Sequence, residues 1–397
     1  MSRAKIPYFS YSLTIILDYF ELLPIFFLFL MLLITYCHVI RHNAKIKSEK
    51  QKIRFGGDNL KGISLKDIAQ RLNVSVSTVS RALNGKPGVS KRLREKIIKL
   101  AEELGYTPNP LAIGLKSGTT KLVGILVPEL KGDFFALIVE SVERALYHLG
   151  YRLLLCPTED DPKKEEEHLK ILVNQKVEGI LSAPANFKEN KELYEVIINE
   201  YKIPVVFFDR LVEGIETDYV ISDNSEGMKL LMDYLISRGH KKIGFIHPLR
   251  GIYTSEIRLK TFLEYKDKIV FKEEWLIDGK SSEEDAREAF LNLMRSKERP
   301  TAVIIGSYHM TLGCLRAAKE MALKIPEDVS IVSFDDAPWN EIFEPPITCV
   351  SQDPREIGLI AATILLNKLK NKKHNNTKMQ IVLKVKFLKR LSVSTIK

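Results

Sequence analysis

From Lys121 onward the chain alternates short runs rich in Val, Ile, Leu and Phe with longer stretches of helical periodicity, and this alternation restricts the fold more than any other feature. The runs are 122–127, 151–156, 179–182, 205–208, 243–247, 302–305 and 330–334, and the helical stretches include 134–149, 224–238 and 309–321. Near-continuous apolar runs of this length read as parallel strands buried on both faces, with the helices as crossovers. The expected class is α/β, doubly wound, and its sites belong at the carboxyl ends of the strands.

Residues 61–120 have a different character. They carry eleven Lys or Arg against four Asp or Glu, in a chain of net charge +10, which suggests a polyanionic partner. Leu65, Ile68, Ala69 and Leu72 recur at helical spacing behind Ser64, with Asp67 placed to complete a capping box. Asn73 and Val74 form a turn, and Ser75 caps a second helix to about Leu83, with Val79 and Leu83 inward. Ser90 opens a third helix whose stripe is Leu93, Ile97, Leu100 and Leu104, closed by Gly105. This is an all-α helix-turn-helix head. Its second helix offers Val76, Ser77, Ser80 and Arg81 to solvent, a face small and polar enough for a major groove. Arg81 is the candidate for a guanine, while Ser75, Thr78 and Ser80 are candidates for phosphates.

The segments Lys66-Asp67-Ile68-Ala69, 74–84 (Val-Ser-Val-Ser-Thr-Val-Ser-Arg-Ala-Leu-Asn) and 103–109 (Glu-Leu-Gly-Tyr-Thr-Pro-Asn) resemble the lactose-repressor (LacI/GalR) family of bacterial transcription regulators. The likeness runs from about residue 62 to the carboxyl end. It implies a repressor that binds a near-palindromic operator as a dimer, with Asn84 and Asn109 added to the DNA-binding set. Residues 108–115 match the family's hinge, which folds into the minor groove on the operator, and Leu115 matches the leucine that wedges between base pairs. Gly114 makes that helix weak without DNA.

The resemblance also implies that the large domain is periplasmic-binding-protein-like, two α/β subdomains closing on a small molecule, a sugar or sugar derivative. Residues carried over for effector binding are Phe134, Phe135, Asp209, Arg210, Arg258, Ser307, Tyr308, Asp335 and Gln352. Ser307-Tyr308 departs from the Asn-Asp of many relatives and removes a carboxylate that would accept two hydroxyls. Asp209-Arg210 also reads as a structural ion pair. The acidic loop 159–161 and the basic tail 384–390 read as solvated faces, and His247 and His309 as loop or surface residues.

The expected division is an extension 1–60, a DNA-binding head 61–107, a hinge 108–120, and an effector-binding and dimerisation domain 121–397. Within the last, subdomain 1 takes about 121–221 and 353–380, and subdomain 2 takes 222–352 and 381–397. Residues 22–40 lack any charged side chain and could span a hydrocarbon core of roughly 30 Å, with the six Lys or Arg of 41–54 holding the rest in the cytoplasm. The competing reading starts translation at Leu60, behind Gly56-Gly57-Asp58, whose codons can form a ribosome-binding sequence. The expected location is accordingly the cytoplasm, or the inner membrane with a cytoplasmic regulator. The four cysteines, Cys37, Cys156, Cys314 and Cys349, show no ligand spacing, so neither metal nor disulfide framework is expected. No GxGxxG follows the first strand, and GxxxxGK[ST], GxSxG and HExxH do not occur, which leaves an enzyme reading without a motif and implies no cofactor. A membrane-tethered solute-binding protein is the remaining rival, but it leaves residues 63–115 unexplained.

Overall fold

The computed structural model describes residues 63–106, 119–370 and 377–396. The chain divides into two compact units, 1–108 and 109–397. The extension, the segment 22–40 and most of the hinge, including Asn109 and Leu115, lie outside the described residues. Among those described, no helix is long and apolar enough to cross a membrane.

The first unit holds α1 (Leu65–Leu72), α2 (Val76–Leu83) and α3 (Lys91–Glu103). Each begins at the serine expected to cap it. Ser64 and Asp67 form the reciprocal capping box, and Asn73 ends α1 in the left-handed region at φ 52°, which starts the turn. Ile68, Val79 and Ile97 are fully buried, with Ala69, Ala82 and Ala101 filling the space between helices. Leu83, Leu93, Leu100 and Leu104 are only half-buried against this cluster, because a three-helix core this small cannot enclose every apolar side chain.

The second unit contains two six-stranded sheets. The first comprises β1 (Leu122–Val127), β2 (Arg152–Pro157), β3 (Gly179–Ser182), β4 (Val205–Phe208), β5 (Asp218–Ser222) and β11 (Gln380–Leu383), in the order β11-β5-β4-β3-β1-β2 and parallel throughout. The second comprises β6 (Ile243–His247), β7 (Leu276–Asp278), β8 (Ala302–Ile305), β9 (Ser330–Phe334), β10 (Thr348–Ser351) and β12 (Lys386–Leu388), in the order β12-β10-β9-β8-β6-β7. Only β12 runs antiparallel to its neighbour. All seven expected runs form strands. One expectation fails: β2 is an edge strand in which Cys156 alone is buried and the other residues are half-buried or exposed. The strands not anticipated, β5, β7 and β10 to β12, are short and mix polar with apolar residues, so period alone does not mark them.

Helices cover both faces of the sheets. On the first sheet α4 (Asp133–Tyr147) packs against the helix Pro354–Lys370, which returns the chain from the second sheet. Gly358 permits their close crossing, since a Cβ there would lie 2.6 Å from the Ile138 carbonyl oxygen. The chain passes between sheets after β5, after β10, and again between β11 and β12. The loops at the carboxyl ends of strands from both sheets thereby come to line one cleft.

Candidate DNA-reading face and ligand cleft

On α2 the buried Val79 and Ala82 fix which residues face outward. Val76 is 45% exposed, and Ser77, Arg81 and Asn84 are exposed beside it. The Ser75 hydroxyl accepts from the Thr78 backbone N–H at 3.1 Å and lies 2.7 Å from Ser77 Oγ and 2.8 Å from Thr78 Oγ1. Asn84 Nδ2 donates to the Ser80 carbonyl at 2.7 Å, closing the carboxyl end of the helix. Ser75 and Asn84 therefore have structural work at the two ends of α2, which the sequence reading did not assign to Asn84. Arg81 has no ion pair among the described residues. Arg94 Nη2 donates to the Lys86 carbonyl at 2.5 Å and ties the loop after α2 to α3.

The cleft of the second unit has a volume of about 300 Å³. Phe134 and Phe135 follow β1, Asp209 and Arg210 follow β4, Ser307 and Tyr308 follow β8, and Asp335 and Gln352 follow β9 and β10. Arg258 enters from α8 (Tyr253–Leu263). All nine carried-over residues line it. Asp209 and Asp335 both hold a left-handed backbone at the strand ends, φ 59° and 77°, a strained placement that recurs at sites where side-chain aim matters.

The cationic groups are held rigidly. Arg258 donates from Nε to Asn224 Oδ1 at 2.8 Å and from Nη1 to the Gly306 carbonyl at 2.7 Å, with Asp335 Oδ2 4.0 Å away. Burial lowers its affinity for the proton, and Asp335 and Asp209 oppose that. Arg210 Nη1 donates to Asp160 at 2.5 Å, and its guanidinium lies 5.6 Å from the Phe135 ring centroid. The Asp209 carboxyl is pushed up to about 6 by burial, against the pull of Arg210 and Arg258. Gln352 Nε2 donates to Asp335 Oδ1 at 2.6 Å. Asp209 Oδ1, Arg210 Nε and Gln352 Oε1 are buried without a hydrogen-bond partner among the described residues. Arg210 Nε retains the Asp209 carboxylate at 3.6 Å, while Asp209 Oδ1 and Gln352 Oε1 are buried acceptors, each costing about 1–3 kcal/mol while unpaired.

Several residues behave differently from their sequence reading. Asp160 is not a solvated charge: it faces the cleft and binds Arg210, while Asp161 caps the helix Pro162–Asn174. The basic tail is not wholly solvated, because 386–388 form β12 and Arg390 pairs with Asp336 at 2.7 Å. The Asp209-Arg210 pair is real at 3.6 Å but looser than Arg210 to Asp160. His247 is buried in a strand end rather than in a surface loop. Glu129, Lys131, Lys280, Ser281 and His309 also line the cleft, and sequence reasoning assigned none of them to it. Their shared signal is position, two to four residues beyond a strand.

Residues 64–109 match the model of bacterial regulatory proteins of the lacI family, and residues 232–393 match that of a periplasmic binding protein-like domain. The chain is 32% identical over 321 residues, 80% of its own length and 94% of the relative's, to the HTH-type transcriptional repressor PurR of Proteus mirabilis. The chain belongs to the LacI family. Its fold resembles that of the lac repressor dimer bound to operator and the anti-inducer ONPF, with a TM-score of 0.72 at 23% identity, covering 84% of this chain and 100% of that one. It also resembles a LacI family transcriptional regulator from Enterococcus faecalis with bound ribose, with a TM-score of 0.62 at 25% identity over 70% of this chain and 100% of that one. The LacI-family chain is thus a ligand-responsive, DNA-binding transcriptional regulator, with a helix-turn-helix head and a two-sheet small-molecule domain.

Proposed function

We propose that this regulator is a repressor that binds a near-palindromic operator as a homodimer and is controlled by a monosaccharide-sized carbohydrate. Arg81 carries the base reading as a bidentate donor to guanine, with Val76 and Ser77 against neighbouring base edges. Thr78 and Ser80 approach phosphates, Ser75 acts mainly through its cap, and Asn84 positions the end of the helix. Asn109 and Leu115 complete the DNA contacts in the hinge, by backbone contact and by intercalation.

The observation that carries the ligand class is the pair of buried acceptors without a hydrogen-bond donor, Asp209 Oδ1 and Gln352 Oε1, beside the loosely held Arg210 Nε. A polyol supplies the donors they lack. Phe134, Phe135 and Tyr308 give it an apolar wall, Ser307 a hydroxyl, and Arg258 and Asp335 a fixed charge pair. A cleft of 300 Å³ stands at the lower end of the roughly 300–1,000 Å³ of small-molecule sites, which suits a monosaccharide better than a larger ligand. Closure on the ligand alters whether the hinge folds, and a coupling of about 1–3 kcal/mol changes operator affinity about 5- to 150-fold.

The test is selection of operator sequences from random DNA with the full chain, followed by binding of the selected site with and without D-ribose, other pentoses and hexoses. A palindromic site whose affinity responds to one of them is the expected result. Failure to select any sequence would overturn the regulator mechanism, and a response to none would overturn the carbohydrate assignment.

A further inference from the structure

Direct side-chain contacts bridge the cleft at its mouth. Glu129, two residues beyond β1, accepts a hydrogen bond from His309 Nε2 at 2.5 Å, and His309 stands in the first turn of α10 (Tyr308–Glu320) on the other sheet's side. The two side chains are 28% and 26% exposed, so the bond sits at the rim, half out of water. Behind it Tyr308 Oη donates to Asp133 Oδ2 at 3.3 Å, across the same gap. Tyr308 is itself held by the Trp339 ring at 4.8 Å and the His309 ring at 5.0 Å.

Gly132 makes this approach feasible. A Cβ there would lie 2.7 Å from His309 Cε1 and 3.0 Å from Tyr308 Cε1, so a side chain at that position would push the two rings back from the loop. The opposite lip closes by a different means: the Phe187 N–H donates to the Gly251 carbonyl at 2.7 Å, and the Phe187 and Tyr253 rings are 5.5 Å apart. One lip is therefore joined through backbone and rings, the other through a carboxylate and an imidazole.

We infer that Glu129 and His309 form a clasp that selects the closed cleft and sets the upper size of the ligand it retains. With the clasp made, Glu129 and His309 close one side of the 300 Å³ space, and a guest that protrudes between them must break a charge-assisted bond to stay. Release of a small ligand is slowed by the same bond. The size limit rests on the carbohydrate reading, but the clasp does not, because it joins two side chains of the protein directly.

A reciprocal exchange tests it. Hydrogen–deuterium exchange of amides 129–134 and 306–311 is followed in the ligand-free full chain for the parent, Glu129→His, His309→Glu and the double exchange. Each single variant is expected to speed exchange in both segments about 5-fold, as loss of a half-exposed charge-assisted bond does, and the double variant to restore protection. Unchanged protection in the single variants, or a double variant no better than the worse single, overturns the clasp. A second arm compares D-ribose with cellobiose by thermal shift. Ribose binding by the parent, with cellobiose gaining relative to ribose in Glu129→Ala, is the expected pattern. An unaltered ratio refutes the size limit. If neither sugar binds parent or variant, the carbohydrate reading and with it the size limit fall, while the exchange result still decides the clasp.

Discussion

The Arg258 guanidinium lies 3.6 Å from the centroid of the Phe334 ring, across from its hydrogen bond to the Gly306 carbonyl. Stacking and the two hydrogen bonds use the planar, forked shape of the group, which an ammonium does not reproduce. Arg258→Lys is therefore expected to behave as a loss. Thermal shift with the effector should fall by at least half, and the ligand-free protein should lose about 1–3 kcal/mol because Asn224 and the Gly306 carbonyl lose donors in a buried place. Full stability and full ligand response in the variant would show that positive charge alone suffices there.

Asp209 provides a pH signature. Its folded-state value of about 6 lies above the ordinary 3.8, so the folded protein favours the protonated form. The stability contributed is fully present below about 3.8 and is lost as pH rises from there through about 6. Asp209→Asn carries no such loss, and its melting temperature should gain on the parent across that window and run level above it. A ligand hydroxyl donating to the carboxylate favours the ionised form, so effector affinity should weaken as pH falls below about 6 and binding should release protons, which calorimetry in two buffers reads. No buffer dependence at pH 6 would remove Asp209 from the ligand's partners.

Arg81 is exposed at the end of α2, opposite in character to the apolar residues that form the head's core. Arg81→Ala should leave the helical circular dichroism unchanged while discrimination between operator and random DNA drops by about 1–3 kcal/mol, or roughly 5- to 150-fold. Equal discrimination by variant and parent would refute its base-reading role.

Ile97 separates the two units. It is fully buried in a core of few large side chains, and Ile97→Ala should cost the head about 2–5 kcal/mol. Operator binding at 37 °C is expected to fall sharply, with the thermal shift given by effector intact. Loss of both would show that the head's folding governs the cleft.

The head was legible because its information is local. Serine caps, the Asp67 capping-box residue and apolar residues at helical spacing each act within a few positions, and the helices start where those residues stand. The seven apolar runs were legible for a similar reason, since burial on both faces leaves them continuously apolar. β2 misled because strand order, not strand composition, decides which member lies at the edge. Asp160 misled because Glu159-Asp160-Asp161 looks like any solvated acidic loop until Arg210, fifty residues later, is placed 2.5 Å away.

The amino-acid sequence by itself determined the class of each part: a basic head whose second helix displays Arg81, and an α/β body with ligand candidates just beyond its strands. Periodicity, capping and apolar runs are short-range properties, and one chain suffices to read them. Only the tertiary structure decided which of those candidates share a cavity and that Glu129 meets His309 across 180 residues of chain. Such pairings depend on how two sheets and their crossovers bring loop ends together. Buried unpaired atoms such as Asp209 Oδ1 exist as a property only once that packing has excluded water from them.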